Sequence, residues 1–115
     1  MKFKIFTAML SMLLISTHAQ AAYPEKPIQL VVPFAPGGAT DIVARTLSAA
    51  LSKNMQQPVV VVNKPGAGAM IGATMVAKSP ADGYTILLTP PGPQITNPFL
   101  MDNISFDPLK DLKPV

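Results

Sequence analysis

A chain of 115 residues has room for one domain or part of one, and a composition that is 49% hydrophobic and 13% charged excludes a disordered polyelectrolyte. The formal charge of +3 owes Lys2 and Lys4 to the extreme N-terminus; beyond residue 21, Lys26, Arg45, Lys53, Lys64, Lys78, Lys110 and Lys113 nearly balance Glu25, Asp41, Asp82, Asp102, Asp107 and Asp111. These cations are scattered rather than striped, which argues against a nucleic-acid partner, and the absence of Cys excludes disulfides and thiolate metal sites in the chain.

Residues 1–21 have the organisation of a secretory signal peptide. Lys2 and Lys4 precede an apolar stretch over residues 5–15, interrupted only by Thr7 and Ser11, and Ala19-Gln20-Ala21 is a small-x-small cleavage site. Cleavage is expected after Ala21. The apolar stretch falls well short of the ~20 residues of a membrane-spanning helix, and no Cys follows it to carry a lipid. The single histidine, His18, leaves with this segment. A mature chain with neither His nor Cys lacks the usual general base, thiol nucleophile and imidazole ligand, so neither an enzyme nor a metal or cofactor site is expected.

The mature chain opens with a short polar lead-in around Pro24 and Pro27. Residues 28–32 (IQLVV) are apolar except for Gln29, the pattern of a buried parallel strand. From Thr40 the period changes to 3.6. Val43, Leu47 and Leu51, flanked by Ala44 and Ala50, predict the inner stripe of a helix ending near Asn54, with Thr40 as its N-cap and Asp41 as a first-turn acid favoured by the helix dipole. Residues 59–62 (VVVV) predict a second strand and residues 70–78 a second helix with Ile71, Met75 and Val76 inward. A third strand is expected over residues 84–89. Alternation of this kind predicts an α/β fold, a βαβαβ start on a parallel sheet. Pro90, Pro91, Gly92 and Pro93 read as a rigid loop, residues 95–100 as a short helical piece at most, residues 106–112 as a turn, and residues 113–115 as the opening of a further strand. Three strands with open edges are not a complete domain. Residues 22–115 are therefore expected to be the N-terminal part of a first α/β domain.

Ligands of open α/β sheets bind beyond the carboxyl ends of the strands. Here those ends are residues 34–41, 63–69 and 89–97. In the first, Gly37 and Gly38 leave backbone N–H groups unshielded at a helix N-terminus, which makes an anion site or, on the plainer reading, only a tight strand-to-helix turn. Asp41 fits the organiser of that loop better than a catalytic base. Gly66, Gly68 and Gly72 resemble a dinucleotide fingerprint but miss it, because Ile71 stands at the third glycine position and no ribose-binding acid ends the next strand.

Several separated strings carry a further resemblance: PFAPGGATD (residues 33–41), NKPGAGAMIG (63–72), AKSPADGYTILL (77–88), Asn97-Pro98 and FDPLKDLKPV (106–115). Together they resemble the substrate-binding receptors of tripartite tricarboxylate transporters, the Bug receptors. That resemblance implies a periplasmic-binding-protein type II-like fold of two α/β domains closing on the ligand, a small carboxylate as ligand, and membrane permease subunits as partners. It further implies a carboxylate held by backbone amides of the first strand-to-helix loop, at Phe34, Ala35, Pro36, Gly37, Gly38, Thr40 and Asp41. The loop after the third strand, with Thr89, Gly92 and Gln94, would supply a second contact. Members of the family are longer, and their third loop commonly carries Ser, Gly or Thr where Pro90, Pro91 and Pro93 stand here, which implies fewer N–H donors. An exported, non-functional truncated receptor is the alternative.

Overall fold

The computed structural model describes residues 23–102 and 104–115; the expected signal peptide, residues 1–21, and His18 within it lie outside the described residues. Three strands form one parallel sheet, β1 (Ile28–Val32), β2 (Val59–Asn63) and β3 (Thr85–Leu87), in the order β2-β1-β3. Central β1 pairs Ile28 with Val59 through Val32 with Asn63 on one side, and Gln29 with Thr85 through Val31 with Leu87 on the other. Its sequence accounts for that place. Ile28, Leu30, Val31 and Val32 are at most 2% exposed, so β1 is covered on both faces as a central parallel strand must be.

Helix α1 (Ala39–Met55) links β1 to β2, and helix α2 (Met70–Ala77) links β2 to β3 after a 3-10 turn at Ala67–Ala69. They cover opposite faces of the sheet. Ile28, Leu30 and Val32 form one core with Ala44 and Val59, against which Leu51, Met55, Val61, Ile86 and Leu88 pack. On the other face, Gly72 of α2 sits so close to β1's exit that a Cβ there would meet the Pro33 Cβ at 2.8 Å and the Lys64 carbonyl at 2.9 Å.

The faces of both helices differ from the expected stripes. In α1 the buried positions are Asp41, Ala44 and Ser48, continued by the half-buried Leu51 and Met55, a spacing of three and four residues throughout. Val43 is 57% and Leu47 38% exposed. Two serines explain how a polar stripe can face inward. Ser48 Oγ donates to the Val59 carbonyl, and the Val59 N–H donates to Ser52 Oγ at 2.8 Å, so the α1 hydroxyls satisfy backbone groups where edge strand β2 begins. In α2 it is Met70, Gly72 and Ala73 that are buried, while Ile71 points out.

Two further expectations are corrected. The proline-rich stretch after β3 is not a loop but the first turn of helix α3 (Pro91–Leu100), with Pro90 as N-cap. Proline suits this position, since first-turn N–H groups have no intrahelical acceptor to lose. At the chain's end, Lys110 and Asp111 donate to the Asp107 carbonyl and close a turn, as expected, but residues 113–115 form no strand.

Candidate functional site

The strand order places the site. The chain leaves β1 for one side of the sheet and returns to the other, so the β1/β3 boundary is the topological switch point, where loops diverge and leave a crevice at the carboxyl ends. A shallow hollow of about 280 Å³ lies there, lined by Ala39, Thr40 and Val43 from α1 and by Leu88, Thr89 and Pro90 from the end of β3. Thr40 and Thr89, expected to contribute from two separate loops, are thus brought together. The lining contains hydroxyls and apolar surface and no charged side chain.

At the mouth of the hollow, α1 begins at Ala39 after Gly38, an extended N-cap (φ −77°, ψ 169°) without a side-chain cap. Thr40 is therefore inside the first turn rather than capping it. The N–H groups of Ala39, Thr40 and Asp41 have no intrahelical acceptors, and with the dipole they form a positive terminus. Gly38 is exposed, and a Cβ at that position would meet only the Ala35 carbonyl, at 3.6 Å. The glycine that the turn requires is Gly37, whose φ of 85° belongs to the left-handed region.

The loop between β1 and α1 is held by Asp41, which is 2% exposed. Its Oδ2 accepts from the Gly37 N–H and from Arg45 Nε, both at 2.9 Å. Its Oδ1 accepts from Asn63 Nδ2 at 2.9 Å. The Arg45, Gly37 and Asn63 hydrogen bonds together pull the Asp41 carboxyl down to a pKa of about 2, and the same contact raises that of Arg45. This fits the expected role of Asp41 as loop organiser. It also commits the Gly37 N–H internally. Arg45 and Asn63 were not singled out in the sequence; they lie 4 and 22 residues from Asp41, and only the helical i, i+4 spacing of Arg45 offered a signal.

Phe34 is half-buried against the main core, and Ala35 and Pro36 are exposed at the turn. Gly92 is exposed in the first turn of α3 with open space around it. The Gln94 side-chain amide is buried, and neither its nitrogen nor its oxygen has a hydrogen-bond partner among the described residues. Asn97 of α3 donates to the Gly68 carbonyl at 2.7 Å, which ties α3 to the loop after β2. Among the described residues no cluster of three or more His, Cys, Asp or Glu could hold a metal ion, and no helix is long and apolar enough to cross a membrane.

A parallel α/β lobe with a helix N-terminus at its switch point suits a small-ligand site but is shared by many classes of protein. Residues 43–115 match the family described as Tripartite tricarboxylate transporter family receptor, and the chain belongs to that family of transport receptors. It is 50% identical over 94 residues to Protein BugT of Bordetella pertussis, covering 81% of this chain and 29% of that one. Among solved structures it is similar to an R. palustris protein with adipate, at 41% identity and a TM-score of 0.72 over 76% of this chain and 29% of that one. MatC of Rhodopseudomonas palustris with bound malate is similar at 37% identity and a TM-score of 0.72, over 77% and 30%. Other solved neighbours are described as periplasmic proteins. The chain thus spans less than a third of the length of these relatives.

Proposed function

We propose that this chain supplies the N-terminal part of the first lobe of a periplasmic receptor, exported by cleavage after Ala21, that captures a small carboxylate and presents it to membrane permease subunits. The observation that carries the reading is the hollow where the N-terminus of α1 faces Thr89 at the switch point. The ligand carboxylate sits on the N–H groups of Gly38, Ala39 and Thr40, with the Thr40 and Thr89 hydroxyls beside it; Gly37 shapes the turn instead of donating, because Asp41 takes its N–H. Val43 and Leu88 offer apolar surface to the ligand's carbon chain. Gly92 and Gln94, at the start of α3, make the second contact, and the unpartnered Gln94 amide supports that assignment. Relatives solved with malate and adipate support a dicarboxylate as ligand class. Such a site needs neither a side-chain cation nor a cofactor.

Calorimetric titration of the full receptor with malate and with adipate tests this reading. Gly38→Val keeps an allowed backbone and its Cβ meets no close neighbour, yet its branched side chain obstructs the approach to the amides. Loss of one or two charge-assisted hydrogen bonds, ~1.5 to 3 kcal/mol each, corresponds to a fall in affinity of roughly tenfold to a thousandfold or more. Lys64→Ala is expected to bind as the parent does. A folded Gly38→Val receptor with parental affinity, or a Lys64→Ala receptor without binding, overturns the assignment.

A further inference from the structure

Asn63 closes edge strand β2, where it pairs in register with Val32, the last residue of β1. Its side chain lies across the loop that leads into the anion-binding turn. Nδ2 donates one hydrogen to the Phe34 carbonyl at 3.1 Å and the other to Asp41 Oδ1 at 2.9 Å. Oδ1 accepts from Arg45 Nη2 at 3.4 Å. Asp41 in turn holds the Gly37 N–H with its second oxygen. One amide therefore grips the loop at Phe34 directly and at Gly37 through Asp41.

We propose that Asn63 is a positioning residue of the carboxylate site, an inference that rests on the function proposed above. The residue type is the one the three partners demand. A carbonyl and a carboxylate both need donors, and a guanidinium needs an acceptor; a primary amide supplies two N–H groups on one atom and a lone pair on the other. Asp at this position accepts but cannot donate, Lys donates but cannot accept, and Ala does neither. The network also answers a charge problem. Asp41 carries a full negative charge one residue beyond the amides that receive the ligand, and Arg45, Asn63 and the Gly37 N–H absorb that charge, so that an incoming carboxylate meets the helix terminus rather than a bare anion. Because Gly38 follows Gly37 directly, any shift of the loop displaces the cradle as well. Asn63 thus makes the geometry of a loop on β1 depend on the end of β2.

The test compares Asn63→Ala, Asn63→Ser and Asn63→Asp in the full receptor, by titration with malate and with adipate at temperatures well below each variant's melting transition. Asn63→Ala is expected to weaken binding by about tenfold, the loss that accompanies a charged hydrogen bond. Asn63→Ser, which keeps one donor, is expected to fall between Ala and the parent. Asn63→Asp sets a second carboxylate against Asp41 and the Phe34 carbonyl, with Arg45 as the one cation of the network, and is expected to be the weakest binder at pH 8. Like-charge pairing raises the pKa of such a group, and once protonated it donates again. The ratio of parental to Asn63→Asp affinity is therefore expected to narrow as pH falls from about 8 to about 5.5, a response that a loss of packing would not give. Parental affinity within twofold for Asn63→Ala, or an Asn63→Asp deficit independent of pH, overturns the inference. A parent that binds neither acid fails the function itself, which the parent titration reads separately.

Discussion

A nearly buried carboxylate with three donors converts its charge into acid sensitivity, and Asp41 is such a group. Its pKa in the folded chain, about 2, lies below the ordinary 3.8. A depressed folded pKa means that the unfolded state binds the proton first, so the Asp41 contribution is fully present above pH 4 or so and is lost as pH falls from 3.8 toward 2. Asp41→Asn cannot lose what it does not have. Urea midpoints of the full receptor measured between about pH 4.5 and 2.5 are expected to fall more steeply for the parent than for Asp41→Asn. Parallel slopes would show that folding does not lower the Asp41 pKa. Of this cluster only Asp41, a first-turn acid, and Arg45, at i, i+4 from it, carry local signals in the sequence. Asn63 carries no such local signal. Nothing in the chain between them announces that the end of β2 returns beside the start of α1, so their contact is visible only once the parallel register Val32 to Asn63 is known.

The helices show where periodicity misleads. Both were legible in extent: α1 runs over Ala39–Met55 and α2 over Met70–Ala77, close to the expected limits. Their inner faces were not. Counting only apolar residues put Val43 and Leu47 toward the sheet, whereas Asp41, Ala44 and Ser48 are the buried set, since the carboxylate and the Ser48 hydroxyl each have partners waiting and Ala lets the helix approach closely. α3 departs from expectation for the opposite reason. Prolines are forbidding in a helix interior but harmless in a first turn, and Pro91 and Pro93 occupy that turn. The close approach of α2 to the sheet makes its own prediction. A side chain at Gly72 would run into Pro33 and the Lys64 backbone, atoms that cannot swing aside. Gly72→Ala in the full receptor is expected to cost about 1 to 3 kcal/mol in denaturant unfolding, and its effect should reach ligand affinity through Pro33 and the loop that follows it. A neutral unfolding result would mean that α2 rides further from β1 than described.

The three strands leave both edges of the sheet, β2 and β3, without a further partner among the described residues, and several large apolar side chains stand in solvent. Ile42 is 60% exposed, Val43 57%, Phe99 85% and Leu109 92%. Relatives of which the matched stretch makes up 29% have chain to spare for such surfaces. The parallel α/β start, its strand positions and the loop at residues 34–41 could be read from alternation and glycine placement alone. The strand order, and with it the switch point that brings Thr40 to Thr89, could not, because order is decided by long-range pairing rather than by any local pattern. A crystal structure of the full receptor with bound malate is the most direct check. The expected result is a ligand carboxylate within hydrogen-bond distance of the Gly38, Ala39 and Thr40 nitrogens, with Asp41 still holding the Gly37 N–H. A carboxylate paired instead with the Lys64 or Arg45 side chain, away from the N-terminus of α1, would contradict it.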